Sequence, residues 1–340
     1  MPELKLYTVA DLRVWLMHNK EAEGLNEQVI APSRAWAIIH NPYVKDDDPV
    51  LAAIFEDDEL AAYTASFPDI LDGQRVWWAS TLYCYPKFMG KGYGMIVVGV
   101  LKEAHEPELT YDRWGAQETV EIFNHFGYKT TYTIRYHLSN RKINTSSLKG
   151  KWAYCAQELQ KCMHPWPRRA KIDYTTQYIS TIDDETYVFI KAHKYNNLWL
   201  REQEMLNWIV QYPFIKGGMD ETACVFGADA KIYEYKIAKV YAGKQLQGVY
   251  VLRQCDNVLS IVYLYYAEEK RNDVFSSIVN QILSARPTSF VTDNKDLLNY
   301  VKGRLYFPKM KEEKVSLSLP NIQQSLCDFT LQLGDGDSFA

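Results

Sequence analysis

Three glycines alternate at positions 90, 92 and 94 within Cys84-Tyr85-Pro86-Lys87-Phe88-Met89-Gly90-Lys91-Gly92-Tyr93-Gly94. The run before them, 74–86, is aromatic and rich in strand formers; the run after them, 95–101, is almost wholly apolar. Glycine inside regular structure carries an entropic penalty, so a cluster at an element junction needs a local reason. A strand, a glycine-rich turn and a helix N-terminus together make an anion site. The amides of the first helical turn lack partners, the helix dipole favours negative charge, and glycine lets a phosphate come close. A bare tight turn is the alternative, and it needs no ligand. Two phosphate motifs fail on register. A Walker loop puts Ser or Thr after Gly-Lys, whereas here Gly92 follows Lys91. Neither Gly90 nor Gly92 opens a G-x-G-x-x-G fingerprint.

The elements that must hold this turn read as mixed α/β. Residues 4–9 predict a strand and 10–21 a helix, with Thr8 as cap and Asp11 in its first turn. A second helix is expected at 33–40. Residues 49–67 predict a hairpin turning at Glu56-Asp57-Asp58-Glu59. A long strand at 74–86 leads into the glycines, and 93–104, apolar on almost every face, predicts a buried helix. A strand at 107–112, a helix at 117–126 stopped by Gly127 and a strand at 128–137 complete the first half.

The turn resembles the acyl-CoA loop of the GNAT superfamily of N-acyltransferases, roughly V-x-P-x-x-R/Q-G-x-G-[IL]-G/A. Pro86 and all three glycines stand in its register. Residues 118–129, ETVEIFNHFGYK, are similar to the family's helix-to-strand segment ending Tyr-x-x-x-Gly-Phe. The resemblance covers about residues 1–140 and, by topology alone, about 165–335. It implies two GNAT-like domains, each a central, mostly antiparallel sheet flanked by helices. The implied boundaries are 1–145 for an acyl-CoA-binding domain, 146–164 for a linker and helix, and 165–340 for a degenerate GNAT-like domain. It further implies that Met89, Gly90, Lys91, Gly92, Tyr93 and Gly94 surround the coenzyme A pyrophosphate. The strand edge at Leu82, Tyr83 and Cys84 would bind the pantetheine amides, and Phe123 would lie beside the thiol. Acetyl-CoA or another acyl-CoA is the implied co-substrate, with no metal. A small-molecule or peptide amine is the implied acceptor, attacking the thioester directly while a strand amide stabilises the oxyanion.

Three positions depart from the family's pattern. Met89 stands at the Arg/Gln position, and a lost charge-assisted hydrogen bond of ~1.5–3 kcal/mol lowers affinity about ten- to a hundredfold unless Lys87 or Lys91 compensates. Phe123 stands where a tyrosine often protonates the leaving thiolate, and a phenyl ring donates no proton. Ala116 replaces an asparagine. A thiol with a pKa near ~8.5 is a fair leaving group, so water can serve it. No general base or other catalytic residue is singled out. Glu56 and Glu59 read as solvated turn residues, His125 as outward-facing. Of Tyr83 and Tyr85, one is expected to face the site and the other the core. The implied function is N-acyl transfer; the alternative is a non-catalytic GNAT-like binding or regulatory protein. A transferase using charged tRNA is a remoter option, opposed by the lack of a basic surface.

The second half predicts a strand at 186–193, a helix at 198–212, and three antiparallel strands over 231–267 with turns at 242–243 and 256–257. A helix at 271–284, a strand at 289–292, a helix at 293–303 and the segment 304–310 follow. Hairpin, strand, helix, strand, helix, strand is the order of the first half, so an internal duplication is expected. At the place of the glycine turn stands Glu268-Glu269-Lys270-Arg271-Asn272-Asp273, whose acids oppose phosphate. The first half is one strand short of a full GNAT sheet, so a strand from elsewhere is expected to complete it. Residues 326–333 alternate like an edge strand, and Gly334-Asp335-Gly336-Asp337 reads as a turn rather than a calcium loop.

Composition sets the outer limits. At 340 residues, 47% hydrophobic and 24% charged, the chain reads as soluble and globular, with two domains expected. A net charge of −4, with no basic run beyond Arg168-Arg169, argues against nucleic acid. With 25 Tyr and 9 Trp, an aromatic-lined groove is one reading of the high aromatic content; large cores are the other. The N-terminal residues do not read as a signal peptide, and no apolar run is long enough for a membrane span. Cysteines 84, 155, 162, 224, 255 and 327 lack a paired or zinc spacing, Cys155, Cys162 and His164 included, so free thiols in a reducing cytoplasm are expected.

Overall fold

The computed structural model describes residues 1–18, 24–71, 73–113, 115–140, 146–163, 174–193, 198–227, 229–320 and 330–336. In chain order the first elements are β1 (Glu3–Thr8), α1 (Val9–His18), α2 (Pro32–Ile39), β2 (Pro49–Glu56), β3 (Glu59–Leu71) and β4 (Gln74–Cys84). Then come α3 (Tyr93–His105), β5 (Leu109–Arg113), α4 (Gln117–His125), β6 (Tyr128–Ser139), α5 (Leu148–Met163), β7 (Thr175–Ile179), α6 (Asp184–Ala192) and α7 (Gln203–Gln211). The last are β8 (Tyr233–Ala242), β9 (Gln245–Cys255), β10 (Val258–Tyr266), α8 (Arg271–Ala285), β11 (Ser289–Thr292), α9 (Lys295–Lys302) and β12 (Lys309–Pro320).

The chain forms two compact units, neither continuous in sequence. Unit 1 comprises Met1–Thr133, Asn196–Glu234 and Val315–Ala340; unit 2 comprises Ile134–Tyr195 and Tyr235–Lys314. The expected boundaries at 145 and 165 assumed contiguous domains. Instead the segments beginning at Asn196 and Val315 fold with the N-terminal part.

In unit 1, β2, β3 and β4 form an antiparallel meander with β1 antiparallel on β2, and β5 runs parallel to β4. Local chemistry sets the junctions. The Thr8 amide donates to the Asp11 carboxylate at 2.7 Å and the Asp11 amide to Thr8 Oγ1 at 3.3 Å, a reciprocal cap for α1. The β2–β3 turn has Asp57 and Asp58 at φ 53° and 62°, the left-handed pair that a two-residue hairpin turn requires. Beyond β5 the sheet does not continue into the next strand of the chain. Leu317 and Ser318 of β12 pair antiparallel with Arg113 and Asp112 of β5, so the strand expected from elsewhere comes from the C-terminal region.

Unit 2 repeats the plan. β8, β9 and β10 form the antiparallel meander, α8 follows, and β11 returns parallel to β10, with α9 after it. Its core gathers Tyr250, Leu252, Ile261, Phe275, Ile278 and Phe290. Residues 136–139 of β6 pair antiparallel with β11. Next to its parallel strand, unit 1 thus takes the strand that follows α9, and unit 2 the strand that follows α4.

Several expectations are corrected. Residues 186–193 are not a strand but belong to α6, because the Asp183 side chain caps the Thr186 amide at 2.8 Å. Tyr187, Phe189 and Ile190 are buried there while Val188 is exposed, which is helical spacing. The helix expected from 198 begins only at Gln203. A strand does not occupy 304–308; β12 starts at Lys309 and runs on to Pro320. Helix α3 is not buried all round, since Met95 and Ile96 face outward. Half of the strand expected at 326–333 lies outside the described residues; Thr330 makes an isolated bridge to Leu198, and the buried residues 331–336 end in a turn. Cys162, His164 and Cys327 also fall where no side chain is described.

Candidate functional site

The glycine turn lies between β4 and α3. Pro86–Phe88 make one 3-10 turn, and Gly90 and Gly92 then take φ 84° and 78°. A Cβ at either position would meet no heavy atom within 4 Å, so conformation, not crowding by the chain, demands glycine here. The Met89 and Lys91 amides bond back to Pro86 and Phe88. Among the described residues no acceptor takes the amides of Gly90, Gly92 or Tyr93, which stand at the N-terminus of the 13-residue α3. Gly90 and Gly92 are exposed, at the positive end of the helix dipole. The Gly94 amide instead points at Cys84 Sγ, whose thiol is pushed above its usual range, chiefly by burial.

Beside this turn the sheet parts. β4 pairs with β5 only from Val76–Leu109 to Ala79–Asp112. From Ser80 to Cys84 no strand lies on that side among the described residues, while β3 continues to pair on the other. The β3 pairing slips between Tyr63 and Ala65, a bulge at which Thr81 adopts φ 54°. A β-branched residue there is strained, and the bulge re-aims the amides that follow. Leu82 and Cys84 pack against the cluster of Phe88, Tyr93 and Val97. Leu82 also touches the cluster holding Ala79, Val98 and Phe123. Phe123 is fully buried, edge-on to Tyr128 with centroids 5.0 Å apart. Leu82 thus joins the cluster of Cys84 and Tyr93 to that of Phe123, and Met89 is exposed.

Sequence reading missed what surrounds the turn. Lys91 Nζ lies 2.6 Å from Glu56, Lys87 Nζ 2.6 Å from Glu59, and Tyr93 donates to Glu56 at 3.0 Å. The hairpin carboxylates are therefore partners of the loop lysines, Glu59 staying exposed as expected and Glu56 half-buried. The hydrogen bond from Lys91 holds the Glu56 carboxyl below its usual range and, reciprocally, raises the Lys91 ammonium. His125 is exposed, as expected.

The other face of β4 is aromatic. Tyr83 and Tyr85 meet edge-to-face at 5.0 Å, and Tyr85 also packs against the core cluster of Phe88, Tyr93 and Val97. Tyr63 and Phe226 join them at 6.1–6.3 Å. Phe226 and Cys224 come from the segment that begins at Asn196, with Cys224 Sγ 3.7 Å from the Tyr63 hydroxyl. Arg34 donates to Ser80 Oγ at 2.6 Å and stacks on Phe214 at 4.2 Å. Glu221, buried, accepts the Ser33 amide at 2.8 Å and so caps α2 from that same segment. Only a three-dimensional arrangement could reveal this wall, since its members lie up to 190 positions apart.

The corresponding junction in unit 2 is closed to phosphate. Glu268–Lys270 form a 3-10 turn without glycine, and Arg271 is engaged by Glu268 at 3.1 Å and Asp296 at 3.2 Å.

No protein-family model matches the sequence, and no curated sequence is found to be similar. Solved structures do match. A GCN5-related N-acetyltransferase from Kribbella flavida aligns over 94% of this chain and 71% of its own, at 16% identity and a TM-score of 0.50. The N-myristoyltransferase of Saccharomyces cerevisiae, solved with bound myristoyl-CoA, aligns over 94% and 82%, at 10% identity and a TM-score of 0.50. A tandem GNAT protein from the clavulanic acid biosynthesis pathway aligns over 94% and 99%, at 11% identity and a TM-score of 0.50. Identities this low speak for the fold alone, and the fold of this chain is that of the GNAT acyltransferases, repeated in tandem.

Proposed function

We propose that the chain is an N-acyltransferase whose unit 1 binds an acyl-CoA, acetyl-CoA being the first candidate, and passes the acyl group to a small-molecule or peptide amine. The observation that carries this reading is the parting of β4 from β5 after Ala79, on the strand that leads into a glycine turn whose amides at Gly90, Gly92 and Tyr93 have no acceptor among the described residues. In this reading the amides of Gly90, Gly92 and Tyr93 hold the pyrophosphate, and the open edge from Leu82 to Cys84 takes the pantetheine amides as an added strand would. The coenzyme supplies an activated thioester carbonyl. An amide re-aimed by the Thr81 bulge donates to the developing oxyanion. Tyr63, Tyr83, Tyr85 and Phe226 line the approach of the acceptor. Phe123 gives no proton, so solvent protonates the leaving thiolate.

The test is isothermal titration with acetyl-CoA, comparing wild type with Gly92→Trp. A Cβ there would meet no heavy atom of the chain within 4 Å but is strained by the left-handed φ of 78°, so circular dichroism must first show that the variant keeps the wild-type fold. Micromolar binding lost in the variant supports the reading. Absence of binding by wild type defeats it.

A second reading, a non-catalytic coenzyme-binding protein, is favoured by the buried phenyl ring of Phe123 and by both loop lysines being paired already. Thiol release from acetyl-CoA across a panel of amines decides between the two. Binding without release supports the second.

A further inference from the structure

The helix α5 carries a row of exposed apolar side chains. Its side chains from Leu148 to Leu159 are exposed wherever they are described, save a half-buried Glu158. Leu148 is 77% exposed, Trp152 76% and Leu159 60%, and Cys155 is exposed as well. A helix whose described apolar side chains lie in water is marginal on its own, so this exposure needs a partner. The four side chains recur at spacings of four, three and four. At 3.6 residues per turn they fall within about 60° of arc, the narrow seam of a coiled coil rather than the broad face of a helix on a globular core.

We propose that α5 pairs antiparallel with α5 of a second copy of this chain. The spacing is symmetric about its centre, so an antiparallel copy sets Leu148 opposite Leu159 and Trp152 opposite Cys155, twice over. Charge selects the same arrangement. Lys151 and Glu158 both flank the seam on one side, at the position before an a residue, and antiparallel helices bring that flank against itself. Lys151 of each copy then faces Glu158 of the other. Lys149 and Lys151 also lie near the helix N-terminus, against their own helix dipole. In the antiparallel pair they sit beside the C-terminal half of the partner helix, where that dipole attracts them. A parallel pair would bring Lys151 against its own copy's basic end and lose both gains.

Sedimentation equilibrium of the full chain reads this directly. Wild type is expected at twice the 39.5 kDa chain mass, and Trp152→Glu with Leu159→Glu at the chain mass, with unchanged far-ultraviolet circular dichroism of the two units. Lys151→Glu should weaken the dimer about tenfold, and Lys151→Glu combined with Glu158→Lys should restore it. A short bis-maleimide should link two wild-type chains but not Cys155→Ser chains. A monomer at every concentration, without cross-linking, overturns the proposal and assigns the seam to another segment of the chain or to a different protein. A dimer insensitive to the seam variants overturns it equally. A Lys151→Glu dimer that Glu158→Lys fails to restore overturns the antiparallel arrangement.

Discussion

Glu56 and Phe123 are the two residues at which the candidate site differs most from a bare phosphate cradle. Glu56 holds Lys91 at 2.6 Å, so one cation at the turn is partly neutralised before any anion arrives. Glu56→Gln leaves that lysine free and removes a carboxylate from the rim. Acetyl-CoA should bind about fivefold tighter, and the gain should shrink in ~0.5 M salt because exposed pairs are screened. Titration at two ionic strengths checks both parts; weaker binding would mean that Glu56 orders the turn. Phe123 sits without exposure among Ala79, Val98 and Leu82. Phe123→Tyr adds a hydroxyl to an apolar site and should cost about 1–3 kcal/mol of unfolding free energy, read by denaturant titration. A neutral result would place the ring's edge at a hydrated opening, and thiol-release kinetics would then be the assay to repeat. At this scale the sequence was informative where geometry is local. Gly90 and Gly92 have positive φ, as a helix-entry turn implies. It was silent on Glu56, whose role depends on a hairpin turn folding back over the loop 35 positions away.

The exchange of β6 and β12 governs the element scale. β6 follows α4 yet pairs β11, and β12 follows α9 yet pairs β5. Ser318 has β5 on one side, and its hydroxyl lies 3.3 Å from Thr130 on the other. An inner strand spends its amides on the ladder, so Ser318→Pro should remove a ladder donor and destabilise unit 1 by ~3 kcal/mol or more. Limited proteolysis within 1–133 should accelerate, and acetyl-CoA affinity should fall with it. An unchanged digestion pattern would show that β12 is dispensable to β5. The missing strand could be inferred from sequence because the first half had one strand too few. Its source could not, because non-local pairing leaves no trace in local periodicity. The misreading of 186–193 has another cause. Thr186, Tyr187, Val188, Phe189 and Ile190 favour strands by type, but the Asp183 cap fixes the helix and the core accepts its face. Propensity lost to capping and burial. The hairpins and α3 were legible because their turn chemistry and apolar spacing agree.

Across the whole of unit 1, two buried groups set opposing pH dependences. Asp69 lies fully buried 3.3 Å from Arg201, which also binds Asp335 at 3.1 Å, and Trp78 donates to Asp69 at 3.1 Å. These contacts fasten the segments holding Arg201 and Asp335 to β3 and β4. Burial outweighs Arg201, raising Asp69 from 3.8 to about 6, and Asp335 is raised too. His105, stacked on Trp77 at 3.8 Å with Nε2 2.9 Å from the Pro49 carbonyl, is lowered by burial from 6.5 to about 4. Between pH 4 and 6 the native state keeps a proton on Asp69 that the unfolded chain has lost, so this group's contribution grows as pH falls. Over a similar range the unfolded chain charges His105 while the native state does not, so stability is lost as pH falls from 6.5 to 4. Each window is about two pH units wide, or ~3 kcal/mol at ~1.4 kcal/mol per unit, and the signs are opposite. The two slopes therefore largely cancel in wild type. Asp69→Asn removes one of them, so relative to wild type it should lose stability on acidification. His105→Gln should gain by the same comparison. Differences from wild type cancel every other titrating group. Tryptophan fluorescence during urea unfolding reports chiefly on unit 1, because Trp15, Trp36, Trp77, Trp78, Trp114, Trp199 and Trp208 lie in its segments. If both variants shift in the same direction between pH 6.5 and 4.5, one of the two groups is not titrating as its burial requires, and the Arg201 network holds Asp69 ionised throughout.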